Sequence, residues 1–105
     1  MSMNVEKIFK ALSNPLRVQI LSWLKEPEIH FIPMDHLPDD QKGKGYICVS
    51  VIREKAGITQ STISQYLSIM KEAKLLKIKR IGQWTYYRRN EETIQELAEF
   101  IGKEI

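Results

Sequence analysis

Residues 57–76 have the sequence GITQSTISQYLSIMKEAKLL, and this stretch decides the fold of the chain. Apolar side chains recur in it at the helical spacing i, i+3, i+4 and i+7, namely Ile63, Tyr66, Leu67 and Met70. The opposite face carries amides, hydroxyls and one lysine: Gln60, Ser61, Ser64, Gln65, Ser68 and Lys71. A face that only meets solvent usually carries charges of both signs, whereas amides and hydroxyls suit the base edges of a major groove. The stretch therefore predicts a helix that packs on a core with one face and reads DNA with the other.

The residues before this helix predict a turn and a second short helix. Thr59 is the expected N-cap, and Gly57 supplies a tight turn after a helix that covers residues 49–56. Two short helices joined by a glycine-containing turn form a helix-turn-helix, in which the second helix enters the major groove. An ordinary helical hairpin is the alternative.

The charge of the chain is concentrated where DNA binding would need it. The 105 residues, which fit one domain over 1–105, carry a net charge of +3. Residues 53–89 hold nine basic and two acidic side chains, a balance of +7, whereas residues 90–105 hold one basic and five acidic side chains. The positive field thus lies on the helix-turn-helix and the segment after it.

Several other classes of protein are disfavoured by the sequence. It shows no signal peptide and no apolar run long enough to span a bilayer, so we expect a soluble, cytoplasmic protein without a membrane partner. The single cysteine, Cys48, excludes a disulfide within the chain. We expect no enzyme, because His30, His36 and Cys48 form no catalytic triad and no phosphate-binding glycine motif is present.

Amphipathic helices are predicted at both ends of the chain. The first covers about residues 3–12, a second begins at Asn14-Pro15 and ends at Pro27, and the last follows Asn90 as its N-cap. The apolar stripes of the first and last helices are Val5, Ile8, Phe9 and Leu12, and Ile94, Leu97, Ala98 and Ile101. These stripes either pair with a second copy of the chain or close the core of one subunit. A dimer would place two recognition helices about 34 Å apart, as successive major grooves require.

Residues 26–46 are predicted to form an irregular inserted loop rich in proline and glycine. The loop contains His30, Asp35 and His36 upstream of Cys48. These residue types bind zinc-like ions, although their spacing matches no known ligand motif, and a polar loop also contains them by chance. We therefore consider an effector site for a metal or a thiol-reactive compound here, without assigning a resident metal or cofactor.

Residues 76–89 predict a β-hairpin with a type II′ turn at Gly82-Gln83. The resulting register pairs Ile81 with Trp84, Lys79 with Tyr86, and Lys77 with Arg88. One face would cover the core with Leu76, Ile78 and Tyr87. The other would carry a basic ribbon of Lys77, Lys79, Arg88, Trp84 and Tyr86, with Arg80 and Gln83 at the tip. Such a hairpin is typical of a wing along the DNA backbone; a hairpin that only caps the core is the alternative. The fold predicted is mainly α with one β-hairpin, a winged helix-turn-helix in the order α-α-loop-α-α-β-β-α.

Three segments together resemble the ArsR-type (ArsR/SmtB) winged-helix repressors of bacteria: ALSNPLR at 11–17, ITQSTISQYL at 58–67 and RIGQWTYY at 80–87. The resemblance covers nearly the whole chain except residues 27–45. It implies a homodimer on an inverted-repeat operator, with the first and last helices at the dimer interface and an inducer that releases the DNA.

The sensing motifs of this family do not transfer to the chain. The family often binds metals through a Cys-x-Cys pair before the recognition helix, and here that stretch is Cys48-Val49-Ser50. A second family site uses Asp and His on the last helix, which has neither, and thiol-switch members need two cysteines. Cys48 is thus expected to be a small, partly buried apolar residue.

These observations assign roles to individual residues. Base reading is assigned to Gln60, Ser61, Ser64, Gln65 and Ser68. Backbone and wing contacts are assigned to Thr62, Lys71, Lys77, Lys79, Arg80, Gln83 and Arg88. The dimer interface is assigned to Val5, Ile8, Phe9, Leu12, Ile94, Leu97, Ala98 and Ile101, and a small-molecule or metal effector would involve Cys48, His30, Asp35 and His36. The alternative function is a winged-helix protein-interaction module that does not bind nucleic acid.

Overall fold

A computed structural model describes residues 3–32, residue 34 and residues 37–105. The elements follow in the order α1 (Val5–Ala11), α2 (Pro15–Lys25), α3 (Pro27–His30), one turn of 3-10 helix (Asp39–Gln41), β1 (Ile47–Cys48), α4 (Val49–Ala56), α5 (Gln60–Glu72), β2 (Leu76–Ile81), β3 (Trp84–Arg89) and α6 (Glu91–Glu104). This order confirms the predicted mainly α winged helix-turn-helix. Two of the sequence-predicted effector residues, Asp35 and His36, lie outside the described residues.

Side-chain caps fix where the first helices begin. The Asn14 side chain accepts hydrogen bonds from the N–H groups of Leu16 and Arg17 at 2.9 and 3.1 Å, and Pro15 follows at the first helical position. The predicted start of α2 is therefore confirmed. Pro27 does more than end α2, because it also opens the four-residue helix α3 from the same favoured position.

The β-hairpin gains a third strand that the sequence did not predict. β1 pairs with β3 through Ile47–Tyr87 and Cys48–Tyr86, which gives the antiparallel sheet the order β1-β3-β2. The hairpin register is as predicted, with Ile81 opposite Trp84 at the turn. At the first position of the turn Gly82 has φ +59°, and at the second position Gln83 has a negative φ. A positive φ at the first position alone is the pattern of a type II′ turn.

The predicted faces of the hairpin are wrong for two residues. Tyr86, expected on an open ribbon, is fully buried, because β1 and the segment before it cover that face and place Leu37, Tyr46 and Cys48 against its ring. Ile78, expected on the core face, is 42% exposed. The other two residues predicted on the core face are confirmed there, since Leu76 is buried and Tyr87 is half-buried against the core.

The main core is built from both ends of the chain and the helix-turn-helix. Its fully buried members include Ile8, Ile20, Ile52, Ile63 and Leu67, which lie on α1, α2, α4 and α5. α5 therefore rests on the centre of the molecule. This packing fixes the orientation of α5 relative to the rest of the subunit.

Asn90 occupies the N-cap position of α6, but its side chain does not cap the helix as predicted. The Asn90 Nδ2 group donates to the Lys74 carbonyl at 3.1 Å, and the Asn90 N–H donates to the Leu75 carbonyl at 2.9 Å. Lys74 has a left-handed backbone conformation, with φ +62°, at the end of α5. Asn90 thus ties the end of β3 to the turn that follows the recognition helix.

Candidate nucleic-acid interface

The turn between α4 and α5 is shaped by one glycine and one threonine. Gly57 lies in the left-handed region at φ +68°, and its N–H donates to the Arg53 carbonyl at 2.9 Å, which ends α4. The Thr59 hydroxyl accepts the Thr62 N–H at 3.2 Å and so caps α5. Thr62 is half-buried, and its hydroxyl accepts a hydrogen bond from Thr59 at 2.9 Å. The predicted turn and cap are therefore present.

The exposed face of α5 is uncharged over its first nine residues. The five side chains assigned to base reading, Gln60, Ser61, Ser64, Gln65 and Ser68, are all exposed, and the exposed Lys71 follows them. The Gln60 amide donates to the Ser64 hydroxyl at 3.1 Å, whereas within the described residues Gln65 makes no side-chain hydrogen bond. Gln65 thus presents a free amide, which is able to donate and accept a hydrogen bond at the same base edge.

A polar network anchors the other side of α5 to the corner between α1 and α2. The Arg17 guanidinium lies 5.0 Å from the Tyr66 ring centroid, and the Asn14 amide donates to the Tyr66 hydroxyl at 3.2 Å. Arg17 also donates to the carbonyls of Ala11 and Lys10, at 2.7 and 3.1 Å. From the sequence, Arg17 is recognisable only as part of the motif at 11–17, Asn14 as a helix cap and Tyr66 as a member of the apolar stripe of α5. Their positioning role depends on contacts between residues about fifty positions apart.

The cations on the covered face of the wing are held by the segment before β1. Lys79 donates to the Gln41 side chain at 2.7 Å and lies 4.9 Å from the Tyr46 ring centroid. The Arg88 guanidinium lies 4.8 Å from the same ring and donates to the Lys44 carbonyl at 3.0 Å. Lys79 and Arg88, which were assigned to phosphates, therefore clamp Tyr46 against the sheet.

Acidic residues of α6 meet the base of the wing. Lys77, also assigned to the DNA backbone, forms a 3.2 Å ion pair with Glu92, and Arg89 forms a 2.9 Å ion pair with Glu91. The sequence position of these acidic residues suggested that they are separate from the basic segment, but Glu91 and Glu92 form ion pairs with it. Of the wing residues assigned to DNA, Arg80 and Gln83 are exposed at the distal end, near the turn.

Comparison with known proteins agrees with this geometry. No protein-family model matches the sequence. The chain is 52% identical over 99 residues to the uncharacterized HTH-type transcriptional regulator YbzH of Bacillus subtilis, an alignment that covers 94% of this chain and 96% of that protein. It is also 29% identical over 92 residues to the arsenical resistance operon repressor of the same organism, covering 88% of this chain and 71% of that protein. The chain belongs to the ArsR family of helix-turn-helix transcriptional regulators.

A solved structure extends the comparison to the architecture of this ArsR-family regulator. The homodimeric winged helix-turn-helix DNA-binding domain of Mb0332 from Mycobacterium bovis superposes with a TM-score of 0.63 at 25% identity, covering 96% of this chain and 83% of that chain. The named relatives are transcriptional regulators and not enzymes. Among the helices of the described residues, none combines the length and apolar character needed to cross a membrane.

The residues assigned to the dimer interface of this regulator separate into three groups. Ile8 and Leu97 are buried within the subunit, so they are core residues and their assignment to an open interface is corrected. Phe9 is 42% exposed, Ile101 is 45% exposed, and Ala98 is also exposed. Val5, Leu12 and Ile94 are half-buried. Both terminal helices thus keep apolar side chains at the surface.

Of the residues assigned to effector binding, the structure describes His30 and Cys48, which lie in different elements. His30 ends α3, and Cys48 is buried within the cluster of Leu37, Tyr46 and Tyr86. The Cys48 sulfur lies 3.3 Å from the Ser50 hydroxyl. Within the described residues, no three His, Cys, Asp or Glu side chains are grouped so that they could hold a metal ion.

Proposed function

We propose that this ArsR-family regulator is a repressor that binds an inverted-repeat operator as a homodimer and leaves the operator when an effector binds. The observation that carries the proposal is the face of α5: five exposed, uncharged hydrogen-bonding side chains on a helix whose other face is fixed in the core. A rigid helix with such a face fits the major groove, where each base pair presents its own pattern of donors and acceptors.

Gln65 is the principal base-reading residue in this proposal. Its amide is free, whereas the Gln60 amide must first leave Ser64, or carry that hydroxyl with it, to reach a base. Ser61, Ser64 and Ser68 flank these amides on the exposed face of α5 and supply shorter donors and acceptors. A glutamine amide can form two hydrogen bonds to adenine, which is the kind of contact that selects one base pair.

Phosphate contacts are assigned to cations that the subunit leaves exposed. Lys71 follows the reading face of α5, and Arg80 and Gln83 lie near the tip of the wing. Thr62 lies in the first turn of α5, where the N-terminus of the helix would approach the DNA backbone. Lys77, Lys79 and Arg88 have partners inside the subunit, so their primary role in this proposal is to hold the wing.

The proposed dimer uses the exposed apolar side chains of α1 and α6, Phe9, Ala98 and Ile101. Apolar residues that remain exposed on both terminal helices favour burial against a second copy of the chain. The homodimeric state of the domain from Mycobacterium bovis supports dimerisation. A two-fold symmetric pair of recognition helices would match an inverted-repeat operator.

The test begins by isolating the operator from genomic fragments retained by the purified protein. Binding of this operator and of a random duplex is then measured against salt concentration for the wild type, Gln65→Ala and Lys71→Gln. Gln65→Ala should cost about 1–3 kcal/mol on the operator and almost nothing on random DNA, because it removes a base contact. Lys71→Gln should lower the affinity for both duplexes equally and reduce the slope of affinity against salt concentration by about one.

Lys103→Gln is the matched control, since Lys103 is an exposed lysine in the last turn of α6. It should leave both affinities and both salt slopes unchanged. Equal effects of Gln65→Ala on operator and random DNA would contradict the proposed role of α5. Wild-type binding without any salt dependence would contradict DNA binding through the exposed cations and favour a protein-interaction module.

A further inference from the structure

A pocket of about 780 Å³ lies outside the proposed DNA surface, between the end of α2, the short helix α3, the 42–47 segment and the base of the hairpin. Its apolar lining includes Leu24, Phe31, Met34, Leu37, Tyr46 and Ile47. This volume lies within the range of about 300–1,000 Å³ that is usual for small-molecule sites, which are mostly apolar with a few placed polar groups. More than half of the described lining residues belong to the inserted segment, residues 26–46.

The charged groups around the pocket favour an anionic ligand. Its described lining residues include six cationic side chains, Lys25, Lys42, Lys44, Lys77, Arg88 and Arg89, and three acidic ones, Glu28, Glu91 and Glu92, a balance of +3. Glu91 and Glu92 are already paired with Arg89 and Lys77. Lys42 is paired with Asp39. Within the described residues, the ammonium groups of Lys25 and Lys44 and the carboxylate of Glu28 have no partner, which leaves one positive charge in excess.

We propose that this pocket is the effector site and that it binds an apolar small molecule that carries one carboxylate. The apolar part would occupy the lining formed by Leu24, Phe31 and Ile47, and the carboxylate would meet Lys25 and Lys44. A carboxylate paired with an ammonium group forms a charge-assisted hydrogen bond, which is stronger than a neutral one. A neutral apolar molecule would leave the two lysines without a partner. This site differs from a thiol or metal site at Cys48, because Cys48 does not line the pocket.

Tyr46 connects this pocket to the DNA-binding elements. Its side chain lines the pocket while its ring lies under Lys79 and Arg88 of the wing. The next two residues form β1, which pairs with β3, and α4 begins immediately afterwards at Val49. A ligand that shifts Tyr46 would therefore change both the start of the helix-turn-helix and the base of the wing. This regulatory part of the inference rests on the proposed function, whereas ligand binding itself does not.

Binding is tested on the full-length protein without DNA, with decanoate and 2-naphthoate as probes and decan-1-ol as the neutral analogue. Isothermal titration calorimetry measures the affinity. Tryptophan fluorescence, measured in a Trp84→Phe background so that it reports Trp23 alone, gives a second measurement, since the Trp23 ring centroid lies 6.4 Å from that of the pocket residue Phe31. We expect saturable binding of at least one carboxylate and weaker binding of decan-1-ol. The Lys25→Gln/Lys44→Gln double variant should bind that carboxylate about tenfold more weakly or worse, and bind decan-1-ol unchanged.

Lys103→Gln is again the control, because it removes a cation at the far end of α6, away from the pocket lining. Failure of both carboxylates to bind, or binding that the double variant leaves unchanged, would overturn the site. Release of the operator by the bound carboxylate, measured by fluorescence anisotropy, would support the regulatory role. Binding that leaves operator affinity unchanged would overturn that role alone. A ligand-free protein that fails to bind any DNA would overturn the proposed function and leave the result for the pocket intact.

Discussion

Replacement of Arg17 by Met tests whether the corner between α1 and α2 positions the recognition helix. Arg17 is 9% exposed, and its guanidinium donates to the carbonyls of Ala11 and Lys10 while it lies over the Tyr66 ring. Methionine has a similar length and fills the same space without donating. The Ala11 carbonyl would lose its donor, the Lys10 carbonyl would keep its hydrogen bonds from Ser13, and the ring of Tyr66 would lose its cation.

The magnitude of this change follows from two opposing terms. A hydrogen bond from a charged donor contributes about 1.5–3 kcal/mol, and the contact with the ring adds about 0.5–2 kcal/mol. Removing a buried charge also removes the free-energy cost of burying it, which offsets part of this loss. The Ala11 carbonyl remains without a donor, so the loss dominates. We expect the free energy of unfolding to fall by about 3 kcal/mol, a large part of the 5–15 kcal/mol typical of a domain.

Urea denaturation followed by circular dichroism measures this loss at a fixed protein concentration, because the apparent stability of a dimer depends on concentration. Arg80→Met is the matched control: Arg80 is exposed and makes no side-chain hydrogen bond within the described residues. That variant should keep its stability and lose affinity for DNA. An Arg17→Met protein within about 1 kcal/mol of wild type would show that water satisfies the Ala11 carbonyl and that the network does not hold α5.

Two further predictions concern the wing and the dimer. Burial, and secondarily the charge of Cys48, raises the pKa of Tyr86 above its usual value of 10.0. The Tyr86 hydroxyl therefore loses its proton at a lower pH in the unfolded chain than in the folded one. The stability that this difference leaves intact below pH 10 is lost as the pH rises through the folded-state pKa. Urea unfolding at successive alkaline pH values should show a smaller decline for Tyr86→Phe than for wild type, and equal declines would contradict the assignment. Ile101→Glu should raise the dimer dissociation constant about tenfold or more in sedimentation equilibrium, since it places a charge at the proposed interface. Ile29→Glu, at a 66% exposed site on α3, is the control, and equal effects of the two variants would exclude Ile101 from the interface.

The helix-turn-helix could be predicted from the sequence because its determinants are local. The apolar period of α5, the Thr59 cap and the left-handed Gly57 all act within a few residues of one another. The hairpin register was predictable for the same reason, since a two-residue turn at Gly82-Gln83 fixes every pair after it.

The covered face of the wing could not be predicted by the same reasoning. The burial of Tyr86 and the clamp on Tyr46 depend on residues 37–48, which pack on the hairpin although they precede their partners in β3 by about forty positions. β1 has only two residues, too few for an alternating pattern to mark it. One available indication was the apolar run Tyr46-Ile47-Cys48-Val49 just before α4. The start of α3 was also accessible, because proline at the first helical position marks a helix as readily as it ends one.

The position of the positive charges changes how the basic segment of residues 53–89 should be interpreted. Charge counted along the sequence suggested a uniformly basic wing, but Lys77, Lys79 and Arg88 have partners within the subunit. What remains for phosphates is a narrower set, with Lys71 and Arg80 beside the uncharged face of α5. Of the three cations that have partners within the subunit, Lys79 and Arg88 both lie over Tyr46, the residue that also lines the proposed effector pocket. A ligand that displaces Tyr46 would therefore alter the shape of the wing and the placement of its charges together. In this molecule, one aromatic side chain lines the proposed effector site and also contacts the strands of the wing.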